Sequence, residues 1–414
     1  MFVNYFADDA RSSPVNLAVG RFVLGWWLVW KTVHYDWSLL FSGISRSMAY
    51  NGYDAILPVS APWILTVEKW LLIALVLLVV VGYRIRFTAL ASAALATHLG
   101  TVRNTVTSSG EVSSLFIGSV FLVFVALYSD DDVLSVDGLR RVRSKSLDWL
   151  VARLKSDDDR SYRMPSMKYA LLTLAILFFS TAASKVVDGG GLGFVAPSNL
   201  ARLVLVRSYV YPWHDVQLVV VDYPLLGVLG GIGTLALEFG LLVAVLAGAT
   251  VTPFVLGLVA FTLSNVVLLG IFFVDNLFFL TLFAAFDRAY ARLAVDRDLD
   301  LVFDEHCLFC ARSLYPVDLF DVEGSVTFYS QYDAPDGYED RPGVDFGRAM
   351  YVFDGDDAHE GYDAFRELLR QNRLFHPLAW VMARRPVRAV GRRVYRYVAD
   401  NRGRHFACRV ENGG

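Results

Sequence analysis

The sequence predicts an α-helical polytopic membrane domain of seven or eight helices (1–290) followed by a small α/β domain (291–414). Three observations carry that expectation. The chain is 55% hydrophobic and only 19% charged, with a mean hydropathy of +0.44, too apolar for an ordinary soluble protein. Apolar runs of membrane length fill the first 290 residues, and charge is concentrated in two blocks. All three cysteines, Cys307, Cys310 and Cys408, lie beyond residue 300, so no disulfide framework holds the apolar part together.

The apolar runs fall at about 16–33, 64–82, 87–102, 112–128, 168–187, 224–248, 253–274 and 276–287. A bilayer core needs roughly 20 residues of helix. The third and eighth runs are short by that measure, which leaves the count at seven or eight. The stretch 200–221 is interrupted by Arg202, Arg207, Pro212 and His214 and reads as an interfacial or re-entrant segment. No small-x-small cleavage site precedes polar sequence after the first run, so no cleavable signal is expected. With eight helices and the N-terminus inside, Arg11, Arg84, Arg86, the run from Arg140 to Arg163 and the C-terminal part face the cytoplasm. The outer loops keep only Arg46, Arg103, Arg202 and Arg207. Basic residues show this asymmetry across membranes. It predicts a multi-pass protein of the cell membrane with both termini cytoplasmic.

The polar C-terminal region has an ordinary size for one compact unit. Its pattern reads as strand 300–303, helix 310–321, strand 325–330, polar loop 331–347, strand 349–353, helix 361–371 and a basic helical region, 378–399. Strands alternating with helices predict an α/β unit.

The chemistry centres on Leu301-Val302-Phe303-Asp304-Glu305-His306-Cys307-Leu308-Phe309-Cys310. A buried strand ends at Phe303, Cys-x-x-Cys follows, and no breaker interrupts the next helix before Pro316. Thiol–disulfide exchange needs this arrangement. The first sulfur stands at a helix N-terminus, where N–H groups and the helix dipole favour thiolate. The second lies one turn on, within reach to resolve a mixed disulfide. Half of a zinc site and chance spacing are the alternatives. Structural zinc wants four ligands, and outside the pair only Cys408 and scattered histidines remain, so no metal centre is expected. His306, when charged, would help lower the pKa of the neighbouring thiol; a simply exposed histidine is the plainer alternative.

Phe303-Asp304-x-x-Cys307-x-x-Cys310 resembles the opening motif of the DCC thiol–disulfide oxidoreductase family. Gly361-Tyr362-Asp363-Ala364 and Tyr395-x-x-Val398-Ala399-x-Asn401-Arg402 resemble its closing segment, so the resemblance covers about 300–409. Glu305 stands where the family usually has Gly. The resemblance implies a thioredoxin-like domain acting on a thiol or disulfide substrate. Cys307 would be the nucleophile, Cys310 the resolving cysteine, and Asp304 and His306 the residues that tune the pair.

Lys185 is a second centre. It closes the uncharged run from Ala170 to Ser184 and is one of only six lysines. A snorkelling lysine at a helix end and a desolvated amine acting as a base are both open readings. Ala182-Ala183-Ser184-Lys185-Val186-Val187-Asp188 and Leu134-Ser135-Val136-Asp137-Gly138-Leu139 resemble segments of vitamin K-dependent carboxylases and the wider HTTM family, over about 15–290. That resemblance implies a helical membrane domain with a cavity. It supports a rival in which Lys185 is the base of a carboxylase- or epoxidase-like enzyme with a lipid-soluble substrate. His98, Glu238 and Asn265 also lie at membrane depth. Glu238 is the costliest there, and both a pair with Lys185 and a helix–helix hydrogen bond would account for it. An apolar ligand such as a quinone is the one cofactor that such a domain suggests; no cysteine lies there to relay electrons to it.

In the tail, Arg384, Arg385, Arg388, Arg392 and Arg393 are interleaved with Trp380, Val387, Val390 and Tyr395. For a domain tethered to a membrane, the anionic lipid bilayer is a nearer partner than nucleic acid, and a solvated helix face is the plain alternative. A non-enzymatic membrane scaffold is the remaining rival to the redox reading.

Overall fold

The structure, a computed structural model, describes residues 2–7, 11–34, 62–107, 114–156, 162–188, 191–207, 214–271 and 273–405. They form two compact units. The first comprises Met1–Ser12, Asn16–Ser135 and Tyr162–Ala285; the second comprises Ser13–Val15, Val136–Ser161 and Phe286–Gly414. The second unit thus takes in residues 136–161, which lie between the fourth and fifth apolar runs and hold most of the basic run from Arg140 to Arg163, besides everything from Phe286 onward.

The first unit is helical: α1 (Pro14–His34), α2 (Pro62–Val81), α3 (Ile85–Thr107) and α4 (Ser114–Leu127) precede α5 (Val136–Val142) and α6 (Leu147–Leu154) of the second unit. It resumes with α7 (Pro165–Asp188), α8 (Pro197–Arg207), α9 (His214–Asp222), α10 (Pro224–Leu246), α11 (Thr252–Leu269) and α12 (Val274–Thr281). A short ladder joins β1 (Arg11–Ser12) to β2 (Tyr162–Arg163). Among the described residues, four helices, α2, α7, α10 and α11, are long and apolar enough to cross a membrane. α1 is long enough but carries Arg21 and Lys31. Arg21 pairs with Asp132 and donates to the Val80 and Leu134 carbonyls at 3.1 and 2.9 Å. Lys31 pairs with Asp275 at 2.6 Å, and Asp275 also accepts from the Trp27 indole at 2.9 Å. α10 and α11 approach closely through glycine: a methyl group on Gly240 would lie 2.2 Å from the Phe254 ring, and one on Gly257 2.3 Å from Leu237.

The run at 276–287 does not make one membrane-length helix. α12 has eight residues, about 12 Å of helix against a hydrocarbon core of about 30 Å. The chain leaves the helix because Phe283 and Ala284 pair with the N-terminal strand-like residues: the Phe283 carbonyl accepts from Val3 N at 3.0 Å, and Ala284 bridges Phe2. The 200–221 stretch forms the two short helices α8 and α9 rather than a span.

The second unit continues with α13 (Phe286–Ala291) and is built on a four-stranded sheet ordered β4-β3-β5-β6. β3 (Leu299–Phe303) runs parallel to β4 (Val326–Ser330) and antiparallel to β5 (Tyr351–Asp354), which turns back into β6 (Asp357–Glu360). β6 is mostly exposed and polar, so no apolar alternation marks it in sequence. β3 is nearly continuous in apolar residues, as a strand covered on both faces must be: Leu299, Leu301, Val302 and Phe303 are all buried. α14 (Leu308–Phe320) continues through Pro316, close to the 310–321 expected from the sequence. Across α14 lies α6, capped by Ser146. Trp149 packs on Tyr315 with ring centroids 6.2 Å apart, and Arg153 pairs with Asp318 at 3.5 Å. Leu150 and Leu154 are fully buried.

The basic tail is two helices, α16 (His376–Met382) and α17 (Arg385–His405), after α15 (Tyr362–Leu369). The two halves of the closing motif meet here. Asp363 accepts from Arg388 at 3.0 and 3.1 Å and from Arg392 at 2.8 Å. Tyr395 accepts from Met350 N at 3.2 Å, and its ring covers Gly361, whose φ of +57° and lack of Cβ make that approach possible.

Leu150→Ala, in a segment that reads as a loop, is expected to destabilise the second unit by about 2–4 kcal/mol, measured by chemical unfolding followed at the unit's own tryptophans. Burial pushes the Asp363 carboxyl up, but the hydrogen bonds from Arg388 and Arg392 outweigh it and hold the group below the ordinary aspartate range. Such a group stabilises the fold above its unfolded value of about 4 and loses that contribution as pH falls through the lower folded value. α17 is expected to loosen in that window. Asp363→Asn should loosen it at neutral pH by about 1.5–3 kcal/mol, read by amide hydrogen exchange over 385–401.

Candidate functional site

The dithiol stands where the carboxyl ends of the two parallel strands open, a place where α/β sheets bind ligands. β3 ends at Phe303, and the chain turns at once. The Asp304 carboxylate accepts from His306 N at 3.0 Å and its carbonyl from Cys307 N at 3.2 Å. This aspartate turn aims the chain into α14. Asp304 thus shapes the loop through the backbone, a role its place in the motif does not reveal.

Cys307 is the N-cap of α14, with extended backbone, and its Sγ accepts from Cys310 N at 3.4 Å. An N-cap acceptor satisfies a helix N–H that has no partner within the helix. The two thiols are not joined by a disulfide. Cys307 is buried and Cys310 half-buried, the reverse of what a leading nucleophile at the first position suggests. His306 meets the edge of Tyr332 at 5.3 Å between ring centroids. Tyr332 and Asp333 follow β4, so the loops after both parallel strands build the site.

Lys155, at the C-terminus of α6, bridges these loops: its Nζ lies 3.7 Å from Glu305 and pairs with Asp333. Glu305 has therefore found a cation from outside the motif. Lys155, Tyr332 and Asp333 escaped the sequence reading. The one available signal was the rarity of lysine, which singled out Lys185 but applies equally to Lys155.

Lys185 and Glu238 do meet, as an ion pair between α7 and α10. The Lys185 ammonium also lies 5.8 and 5.6 Å from the ring centroids of Phe194 and Phe261. His98 instead faces Glu68 across α3 and α2, at 2.9 Å. Of the five tail arginines expected at a lipid surface, Arg388 and Arg392 hold Asp363, Arg384 stacks 3.5 Å over the Trp380 ring, and Arg385 and Arg393 are exposed. Cys408 lies outside the described residues.

An apolar cavity of about 440 Å³ lies in the second unit, lined by Tyr290, Phe320, Phe365, Phe375, Leu378 and Met382 among others. It opens at the far end of α14, ten residues or about 15 Å of helix beyond Cys310. It is not a cleft over the dithiol.

Differential alkylation checks the geometry. In the reduced full-length protein, a bulky maleimide should modify Cys310 before Cys307, and a small haloacetamide should reach both. Peptide mapping by mass spectrometry distinguishes them.

Residues 301–408 match the family model of DCC1-like thiol-disulfide oxidoreductases. No curated protein and no solved structure matches the chain. The matched stretch contains the dithiol, all of α17 and the four-stranded sheet except the first two residues of β3, and leaves out α5 and α6.

Proposed function

We propose that this chain is a membrane-held thiol–disulfide oxidoreductase working through Cys307 and Cys310 on the cytoplasmic side. The observation that carries the reading is the N–H of Cys310 directed at the Cys307 sulfur, at the N-terminus of α14 and inside the family-matched stretch. A donor so placed stabilises thiolate over thiol. The sheet order, with the first strand of the domain between its parallel second and antiparallel third, supports a thioredoxin-like fold.

The exchange runs in two steps. The Cys307 thiolate attacks one sulfur of a substrate disulfide, forming a mixed disulfide and expelling the other substrate sulfur as thiolate. Cys310, deprotonated, then attacks Cys307 Sγ, forming the Cys307–Cys310 disulfide and releasing the second substrate thiolate. The substrate gains two electrons and the dithiol loses them; the reverse sequence oxidises a substrate dithiol. The enclosure of Cys307 favours substrates that reach in past Cys310. Lys155 holds Glu305 and Asp333 and offsets two carboxylates that would otherwise oppose a nearby thiolate.

Sidedness is supported by the basic residues concentrated at Arg84, Arg86 and Arg140 to Arg163. The 136–161 stretch shares one compact unit with the C-terminal domain, consistent with both lying on one side of the bilayer. The ion pair and the two aromatic faces account for Lys185 as a tie between α7 and α10, so the carboxylase-like rival has no observation of its own in its favour.

The test uses full-length protein in lipid nanodiscs, reduced and then exposed to oxidised glutathione. The wild type should form the intramolecular disulfide. Cys310→Ser should accumulate a glutathione adduct on Cys307, and Cys307→Ser should fall to the uncatalysed background. Adducts found only on Cys310, in Cys307→Ser, would reverse the order of attack. No adduct in either variant would defeat the redox reading.

A further inference from the structure

α17 presents three faces. Arg388, Gly391, Arg392 and Tyr395 dock it on the domain, and Gly391 is so close to Tyr362 that a methyl group there would lie 2.1 Å from the ring. Opposite lies a stripe of Val387, Val390, Val394 and Tyr397, respectively 39, 59, 56 and 67% exposed. Steps of three and four residues place these side chains on one helical face. Beside the stripe stand Arg385, Arg393 and Arg396, all exposed. The preceding turns extend the apolar surface with Leu374, Leu378, Trp380 and Val381, also exposed.

A soluble domain does not leave so long an apolar stripe in water without a partner. The chain itself supplies the reason to name one: among the described residues four helices are fit to cross a bilayer, so this domain is tethered beside a membrane surface. An apolar stripe flanked by arginines, with Trp and Tyr among its large side chains, has the composition of a helix lying in a membrane interface. Phosphate headgroups complement the arginines.

We propose that α16 and α17 lie along the surface of an anionic bilayer. Val387, Val390, Val394 and Tyr397 enter the acyl region, and Arg385, Arg393 and Arg396 meet lipid phosphates. Arg388 and Arg392 take no part, because Asp363 holds them on the other side. Two arginines that look lipid-facing in sequence thus fasten the helix, and the valines interleaved with them, together with Tyr397, form the inserting face. This inference needs only a membrane-tethered chain and stands whether or not the dithiol is active.

The experiment places the photo-crosslinking residue p-benzoylphenylalanine at position 390 or 394 of the full-length chain. Nanodiscs are of phosphatidylcholine alone or with phosphatidylglycerol, and adducts are identified by mass spectrometry. Lipid adducts are expected at both positions, with higher yield when phosphatidylglycerol is present at low salt. Arg393→Gln and Arg396→Gln should each reduce that anionic preference about fivefold. Val387→Asp with Tyr397→Asp should abolish lipid adducts at 390, with unchanged hydrogen exchange in β3–β5 showing that the domain remains folded. Adducts to a second copy, to residues 1–285 of the same chain, or to no molecule would overturn the proposal. Lipid adducts indifferent to phosphatidylglycerol would overturn the role given to the arginines.

Discussion

The second unit depends on the turn that ends β3 and begins α14. In four residues the chain must leave the middle of a sheet, reverse, and start a helix whose first N–H groups lack partners inside the helix. Asp304 solves the first part by accepting from His306 N, and Cys307 the second by accepting from Cys310 N. The structural demand for an N-cap acceptor and the chemical demand for a stabilised thiolate fall on one sulfur atom. Under the proposed function, the group that caps the helix would be activated by doing so.

Around that turn the chain recruits residues far away in sequence. α5 and α6 lie between two apolar helices in the chain, yet Leu150 and Leu154 are buried in the unit that holds the dithiol. Lys155 contacts Glu305 and Asp333, which follow β3 and β4. The stretch matched by the family model covers neither α5 nor α6. Lys155 thereby gives Glu305 a charge partner from outside the matched stretch.

Within the helical unit, charge is admitted in pairs. Arg21 with Asp132, Lys31 with Asp275 and Lys185 with Glu238 each join different segments. An unpaired charge among apolar helices costs several kcal/mol, and pairing offsets much of that cost while fixing which helices adjoin. Sequence marks such residues as conspicuous but does not tell a catalytic group from a tie.

By itself the sequence determined the apolar helical character of most of the described part of residues 1–290, the cysteine spacing, and strand–turn–helix at about 300–321, because these rest on local composition and periodicity. It also held the two halves of the closing motif, without revealing that they touch. Tertiary structure alone decided that Arg388 and Arg392 serve Asp363, that 136–161 joins the thiol unit, that the 276–287 run breaks into short helices, and that Cys307 is the more enclosed thiol. Each depends on contacts between residues distant in the chain. Periodicity reports which face of a helix is apolar; only packing reports what that face meets.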